Sequence, residues 1–277
     1  MSRPLAVVVL AAGLGKRTKV SLPKVLLPLC GRTLIDTVLD VVAELHPERT
    51  VVVLHHHKER VAKAIAGRSG LQIVDQGEPR GTGHAVQVAM ESLIGFEGDV
   101  MVVYGDCPLI TAPTLRALRD ARGEAGASVL TAFADDPTGL GRILRDVNGN
   151  IVGIREERDC STSEREIDEI NVGLYCYDAA KLRASLQELN TDNAQGELYL
   201  TDTIAALLQQ GESIESVVCT DPDEALGVNS LVQLASARAV LQARILEEHL
   251  LNGVLIDDPA STWIDHGVTI GADTRIL

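Results

Sequence analysis

The chain has 277 residues and a formal net charge of −14. That charge argues against nucleic acid as a partner, because a phosphate backbone would be repelled. Four Tyr, two Phe and one Trp are too few for an aromatic core, so the interior must be aliphatic, as suits an α/β sheet.

The first element is the run Leu5–Leu10, which lacks polar alternation and is rich in Val. Such a run predicts a strand buried on both faces of a parallel sheet. It is too short for a signal-peptide core and leads into Gly-Leu-Gly-Lys instead of a cleavage site. Ala11, Ala12 and Gly13 follow, small enough to let backbone N–H groups approach a ligand. Lys16, Arg17, Lys19 and Lys24 then add positive charge. Backbone donors and cations at the carboxyl end of a strand predict an anion site, most often for phosphate. A Walker loop is excluded, because Gly15-Lys16 is followed by Arg17 instead of Ser or Thr. A dinucleotide fingerprint is excluded too. Thr18 stands where a third small residue is needed, and Leu22-Pro23 breaks any helix.

Further strands are predicted near 50–54, 71–75 and 99–104, and helices near 33–45, 58–66, 83–91 and 111–122. This alternation predicts a Rossmann-like, doubly wound, mostly parallel sheet with ligands at the carboxyl ends of its strands. Residues 125–177 read instead as a β-rich insertion of short strands with Asp-Pro-Thr-Gly and Asn-Gly-Asn turns. Two helices and a strand lead to Cys219, and a long amphipathic helix runs from about Asn229 to Leu251. Residues 267–276 read as one turn of a hexapeptide β-helix, a stub that cannot bury its own face, so the chain is expected to be cut from a longer protein or to carry a vestigial end.

The candidate ligand contacts fall after strands. In Gln76-Gly-Glu-Pro-Arg-Gly81-Thr82-Gly83, a Gln amide offers donors and an acceptor to a base edge, and Thr82 is a candidate cap for the next helix. In Tyr104-Gly105-Asp106, an aspartate at a strand end is a natural Mg²⁺ ligand, and Thr111 is the better cap for the following helix. The triplet His55-His56-His57 has no carboxylate or cysteine at ligand spacing and reads as a polar loop. Five cysteines without C-x-x-C spacing predict reduced thiols in a cytoplasm.

The pattern L-A-A-G-x-G-x-R-x(5)-P-K over residues 10–24 resembles the signature loop of the sugar-phosphate nucleotidyltransferases. Gln76 with Gly81-Thr82-Gly83 is similar to the uracil-reading loop of the branch that makes UDP-sugars. Gly141, Glu156, Asn171, Asn229 and the run 192–202 match in order and spacing. Nearly the whole chain thus resembles the uridylyltransferase domain of the bifunctional N-acetylglucosamine-1-phosphate uridyltransferases. Lys16 departs from the usual Thr of that family, and Leu27-Pro28 from its usual His and small residue.

The resemblance implies Mg²⁺-dependent transfer of uridylate from UTP to N-acetylglucosamine 1-phosphate, giving pyrophosphate and a cell-wall precursor. It implies Arg17 and Lys24 as catalytic groups, and Leu10, Ala11, Ala12, Gly13, Gln76, Gly81 and Thr82 around the nucleotide. Tyr104, Gly141, Glu156 and Asn171 would face the sugar, and Asp106 and Asn229 would hold the metal. Residues 1–228 would form the nucleotidyltransferase domain, 229–252 a linking helix, and 253–277 the start of a truncated left-handed β-helix. A chain of this length would be mainly monomeric and a full β-helix would make it trimeric; neither nucleic acid nor membrane is an expected partner. The alternatives are the same chemistry on another sugar 1-phosphate, or a non-catalytic nucleotide-sensing domain.

Overall fold

The computed structural model describes residues 3–13 and 15–277; Leu14 and the side chain of Lys16, both in the expected phosphate loop, lie outside the described residues. Strand β1 (Leu5–Leu10) is buried along its whole length. Its alternate residues serve two cores. Ala6, Val8 and Leu10 face one side of the sheet, and Leu5, Val7 and Val9 the other. A strand covered on both faces needs no polar alternation, which is why its sequence has none.

Two short pieces, β2 (Pro28–Leu29) and β3 (Arg32–Thr33), form a hairpin. Helix α1 (Leu34–Ala43) follows, with the Thr33 side chain capping it through Asp36 N–H. Then come β4 (Arg49–Leu54), α2 (Lys58–Ile65), β5 (Leu71–Asp75), α3 (Thr82–Ser92), β6 (Asp99–Tyr104) and α4 (Ala112–Arg122). Within this half, β6, β1, β4 and β5 lie side by side and parallel, so the carboxyl ends of β1 and β6 open on one edge.

The β-rich region divides into two parts. Strands β7 (Ala127–Phe133) and β10 (Glu169–Asp178) enter the central sheet, while β8 (Arg142–Arg145) and β9 (Ile151–Arg155) form a hairpin off its path. The main order is β11-β7-β10-β6-β1-β4-β5, with β11 (Ile214–Val218) at the far edge. Strand β10 alone on this path runs antiparallel to its neighbours. Its ten residues serve both parts. Residues 169–171 pair with the end of β7 and, at Ile170, with Arg142 of β8. Residues 175–178 lie between β6 and β7, after an irregularity between Asn171 and Tyr175. Turn residues mark where such strands stop, but they carry no information on which sheet position a strand takes.

Helices α5 (Ala179–Gln187) and α6 (Asp202–Gln209) cover one face. Helix α7 (Leu231–Leu251) packs Leu234 and Ala237 against Leu27, Leu29 and Leu109. Of the expected β-helix turn over 267–276, the extended part is β13 (Arg275–Ile276), paired in parallel with β12 (Leu255–Ile256). Ile256 of β12 and Ile264 of the loop between them pack against Cys30, Ile245 and Leu246. Among the described residues, no helix is long and apolar enough to cross a membrane, and all five cysteines are buried and free.

Candidate active site

The anion loop rises from the carboxyl end of β1. The Leu10 carbonyl accepts from Gly105 N–H at 2.9 Å, and Ala11 N–H donates to the Val53 carbonyl at 2.9 Å. These groups tie β1 to β6 and β4, so Leu10 and Ala11 make the floor. Ala12 is half-buried and Gly13 exposed, and a Cβ added at Gly13 would meet nothing within 4 Å among the described residues. The open backbone is therefore at Ala12-Gly13. Gly15 has φ +60° and passes so close to Lys24 that an added Cβ would stand 2.9 Å from the Lys24 Cβ. A side chain there would be strained and crowded, which explains the glycine. Thr18 is buried, and its hydroxyl and N–H both donate to the Gly15 carbonyl, at 2.8 and 3.0 Å. Arg17, within that closed turn, is exposed.

Three side chains from distant parts of the chain meet beside this loop. The Lys24 ammonium donates to Asp106 Oδ2, and to Asn229 Oδ1 at 3.0 Å. Each has a local reason to be there. Pro23 starts a tight 3-10 turn over Lys24–Leu26 that buries Val25 and Leu26 and leaves Lys24 above them. Asp106 follows Gly105, where an added Cβ would stand 3.3 Å from the Ala11 Cβ and 3.6 Å from Val25. The Asp106 carbonyl accepts from Val228 N–H at 2.8 Å, stitching the segment before α7 to the end of β6. Ser230 caps α7, and Asn229 N–H donates to Gln233 Oε1 at 2.8 Å. Because Ser230 caps the helix, the Asn229 carboxamide is free to reach Lys24. Cys107, next in sequence, is buried. Burial beside the Asp106 charge pushes its thiol up, so it stays protonated.

The Gln76 loop is built differently from its sequence expectation. Helix α3 begins at Thr82 with Gly81 as its cap residue, and no side chain caps it. Thr82 Oγ1 instead accepts from Leu200 N–H at 3.1 Å. The whole Gly81-Thr82-Gly83 segment docks on 197–200. Leu198 N–H donates to the Arg80 carbonyl at 2.7 Å, and Gly83 N–H to the Leu198 carbonyl at 2.8 Å. Gly81 has φ +108°, and a Cβ there would overlap the Leu198 backbone. Close backbone approach, not helix capping, thus accounts for both glycines and for the threonine. Gln76 is buried at the end of β5, and its Nε2 donates to the Gly81 carbonyl at 3.0 Å.

On the other side, Gly141 and Asn171 are neighbours, joined by Asn171 N–H donating to the Gly141 carbonyl at 2.8 Å. The Asn171 amide is bound within the protein, to Tyr175 Oη at 2.7 Å and from Gly173 N–H at 3.0 Å. Gly173 takes φ +89° and lies against the ring of Tyr104, where an added Cβ would be 2.9 Å from the ring. Tyr104 is half-buried, and burial pushes its phenol well up, helped by the charges of Glu156 and Asp106. Glu156 Oε1 accepts from Thr201 Oγ1 at 3.1 Å. Burial raises the Glu156 carboxyl above its ordinary 4.5; the Thr201 bond opposes this, while nearby Asp202, Asp159 and Glu197 add to it.

Sequence reasoning did not single out His84, Thr201 or Gly173 individually. A histidine on the buried, otherwise apolar face of α3, eight residues after Gln76, was a legible signal for the first. The His triplet follows the end of β4, where the strand leads into α2. His57 takes φ 53° to open α2, and His55 lies 3.8 Å from Asp75, which also pairs with Lys58 at 2.5 Å. Asp75 is brought there by the pairing of β4 with β5, which sequence spacing does not reveal. Among the described residues, no group of three or more His, Cys, Asp or Glu converges in a metal-holding cluster.

Residues 7–212 match the MobA-like NTP transferase domain. The bifunctional protein GlmU of Thermobifida fusca is 46% identical over 282 residues, covering 98% of this chain and 58% of that protein. GlmU of Caldanaerobacter subterraneus is 45% identical over 275 residues, covering 99% of this chain and 59% of that protein. The chain thus spans less than two thirds of the curated relatives it matches. A crystal structure from Bacillus anthracis, of a protein provisionally assigned as a glucose-1-phosphate thymidylyltransferase and complexed with a sucrose, superposes with a TM-score of 0.69 at 20% identity. It covers 85% of this chain and 94% of its own, a likeness of fold. With a loop, a mixed sheet and a sequence match that agree, the chain belongs to the MobA-like NTP transferase family.

Proposed function

We propose that this chain transfers the uridylyl group of UTP to N-acetylglucosamine 1-phosphate, releasing pyrophosphate. The observation that carries the reading is the meeting of Lys24, Asp106 and Asn229 beside an open Ala12-Gly13 backbone. The two side-chain oxygens both accept from one ammonium, so they face a single cationic point. One carboxylate and one carboxamide oxygen fit Mg²⁺, which takes few protein ligands and completes its shell with phosphate and water. Bound there, Mg²⁺ supplies charge neutralisation across the phosphates.

The chain's own residues supply position and charge. The Ala12-Gly13 backbone donates to the triphosphate, and Arg17 and Lys24 face the phosphates from the same loop. The sugar phosphate oxygen attacks the α-phosphorus in line, and the bond from that phosphorus to the bridging oxygen breaks as pyrophosphate leaves. Charge moves onto the leaving oxygens, where Arg17 and Lys24 stabilise it. Gln76 and the Gly81-Thr82 backbone read the base. Glu156 accepts from sugar hydroxyls, and Gly141 leaves room for the ring beside Asn171. Tyr104 walls the pocket between sugar and metal.

Pyrophosphate release from a panel of nucleoside triphosphates and sugar 1-phosphates tests this. The highest kcat/KM is expected for UTP with N-acetylglucosamine 1-phosphate. A clear preference for another base or another sugar would overturn the assignment.

A further inference from the structure

The base-reading glutamine is not free to choose its orientation. Gln76 and His84 are both buried. Gln76 Nε2 lies 3.0 Å from the Gly81 carbonyl and 3.4 Å from His84 Nδ1. A carbonyl can only accept, so the nitrogen of the amide must be the end that faces it. The amide nitrogen has two protons. One goes to Gly81, and the second points to the histidine, whose Nδ1 must then carry a lone pair. Gln76 Oε1 accepts from no group among the described residues.

We infer that His84 is a positioning residue for the nucleobase, its unprotonated Nδ1 holding the Gln76 amide with only the acceptor oxygen presented outward. The inference rests on the base-reading role of Gln76 proposed above. An outward acceptor meets the ring N–H of uracil with a hydrogen bond. It meets the unprotonated ring nitrogen of cytosine with a lone pair, which is repulsive. Discrimination between UTP and CTP therefore depends on an imidazole that does not touch the nucleotide. A site that hydrogen-bonds one partner discriminates through the unpaired groups it leaves with the wrong one. His84 must be neutral to do this, because an Nδ1–H would oppose the amide protons. Burial lowers its pKa, the neighbouring Arg80 lowers it further, and Glu91 opposes them.

The same placement explains the local sequence. His84 is the third residue of α3, and the glycines at 81 and 83 let that turn press onto Leu198, which fixes the helix start beneath Gln76. The imidazole position is thus set by backbone contacts, not by a flexible surface loop.

The test compares kcat/KM for UTP and CTP in wild type, His84→Leu, His84→Asn and Gln76→Ala. His84→Leu removes the acceptor and keeps an apolar side chain of similar bulk. Losing one hydrogen bond is expected to lower the UTP/CTP ratio about five- to tenfold. His84→Asn, whose Oδ1 stands near the Nδ1 position, should restore most of that ratio. A ratio unchanged in His84→Leu, in a protein where Gln76→Ala does lower it, would overturn the inference while leaving the base-reading role intact. A ratio unchanged in Gln76→Ala would overturn both. Should His84→Leu not fold, ¹⁵N NMR of the wild-type protein at neutral pH decides. A bare Nδ1 with a protonated Nε2 is expected, and a protonated Nδ1 would overturn the inference.

Discussion

The Asp106 carboxylate and the Lys24 ammonium are both mostly buried, and each is the nearest opposite charge to the other. Asp106→Asn keeps the shape and an acceptor but removes the charge. Turnover is expected to fall by about a hundredfold or more, and EDTA should abolish wild-type turnover. Pyrophosphate release, with circular dichroism to confirm the fold, checks this. Near-native turnover in the variant would remove the proposed metal site. Glu156 makes the opposite compromise. Its folded-state pKa lies above the ordinary 4.5, because burial disfavours its charge. The folded protein therefore binds this proton more tightly than the unfolded chain does. Stability associated with Glu156 is full below pH 4.5, and is lost as pH rises towards the raised folded value. Glu156→Gln should therefore stabilise the ligand-free protein at neutral pH and remove that pH dependence. It should also raise KM for the sugar phosphate, the usual cost of a stabilised site. Thermal midpoints across pH, with KM for both substrates, measure the two effects. An unaltered midpoint at pH 7 would mean that Glu156 is better solvated than its surroundings indicate.

Among the elements, the β8–β9 hairpin starts just after Gly141 and leads to Glu156, yet it lies off the main strand path of the sheet. Arg142 holds it. This buried guanidinium donates to the carbonyls of Leu140 and Ile167, the latter at 3.0 Å, and pairs with Glu157 at 2.9 Å. One side chain thus joins the residue before Gly141, the residue after Glu156 and the segment entering β10. Arg142→Met would leave those acceptors without their donor, and breaking a buried pair costs ~3 kcal/mol or more. Urea unfolding measures that loss, and a change below 1 kcal/mol would show the hairpin to be held by its strand pairing alone. The hairpin itself was legible from its Asn-Gly-Asn turn and alternating residues. The paths of β7 and β10 were not, because insertion of β10 between β6 and β7 depends on pairings 36 to 79 residues apart. Nor was the role of Thr82 legible, since its partner is Leu200, far along the chain.

At the scale of the molecule, the two faces of one sheet bury a largely aliphatic core that takes in Cys176 and Cys219, and Cys30, Cys107 and Cys160 are buried elsewhere in the chain. Burial pushes the thiols up, so they resist both deprotonation and attack. In native conditions, a thiol reagent should modify fewer than about one cysteine per chain, and all five after unfolding in denaturant. Rapid native labelling of several thiols would show that the core opens readily. The amino-acid sequence by itself determined the parallel half of the sheet and the loops that carry the expected contacts. Apolar runs and turn residues act over a few positions, so their meaning survives without the fold, whereas the glycines at 81 and 83 and Thr82 take theirs from the distant segment 198–200. The tertiary structure decided which groups meet. Lys24 reaches Asp106 across 82 positions and Asn229 across 205, and Gly81 presses on Leu198. His84 lies only eight residues from Gln76, yet its pairing too needed the exact start of α3. Such meetings depend on strand order and on backbone position to within about an ångström, the tolerance of a hydrogen bond, and no local pattern of residue types encodes that.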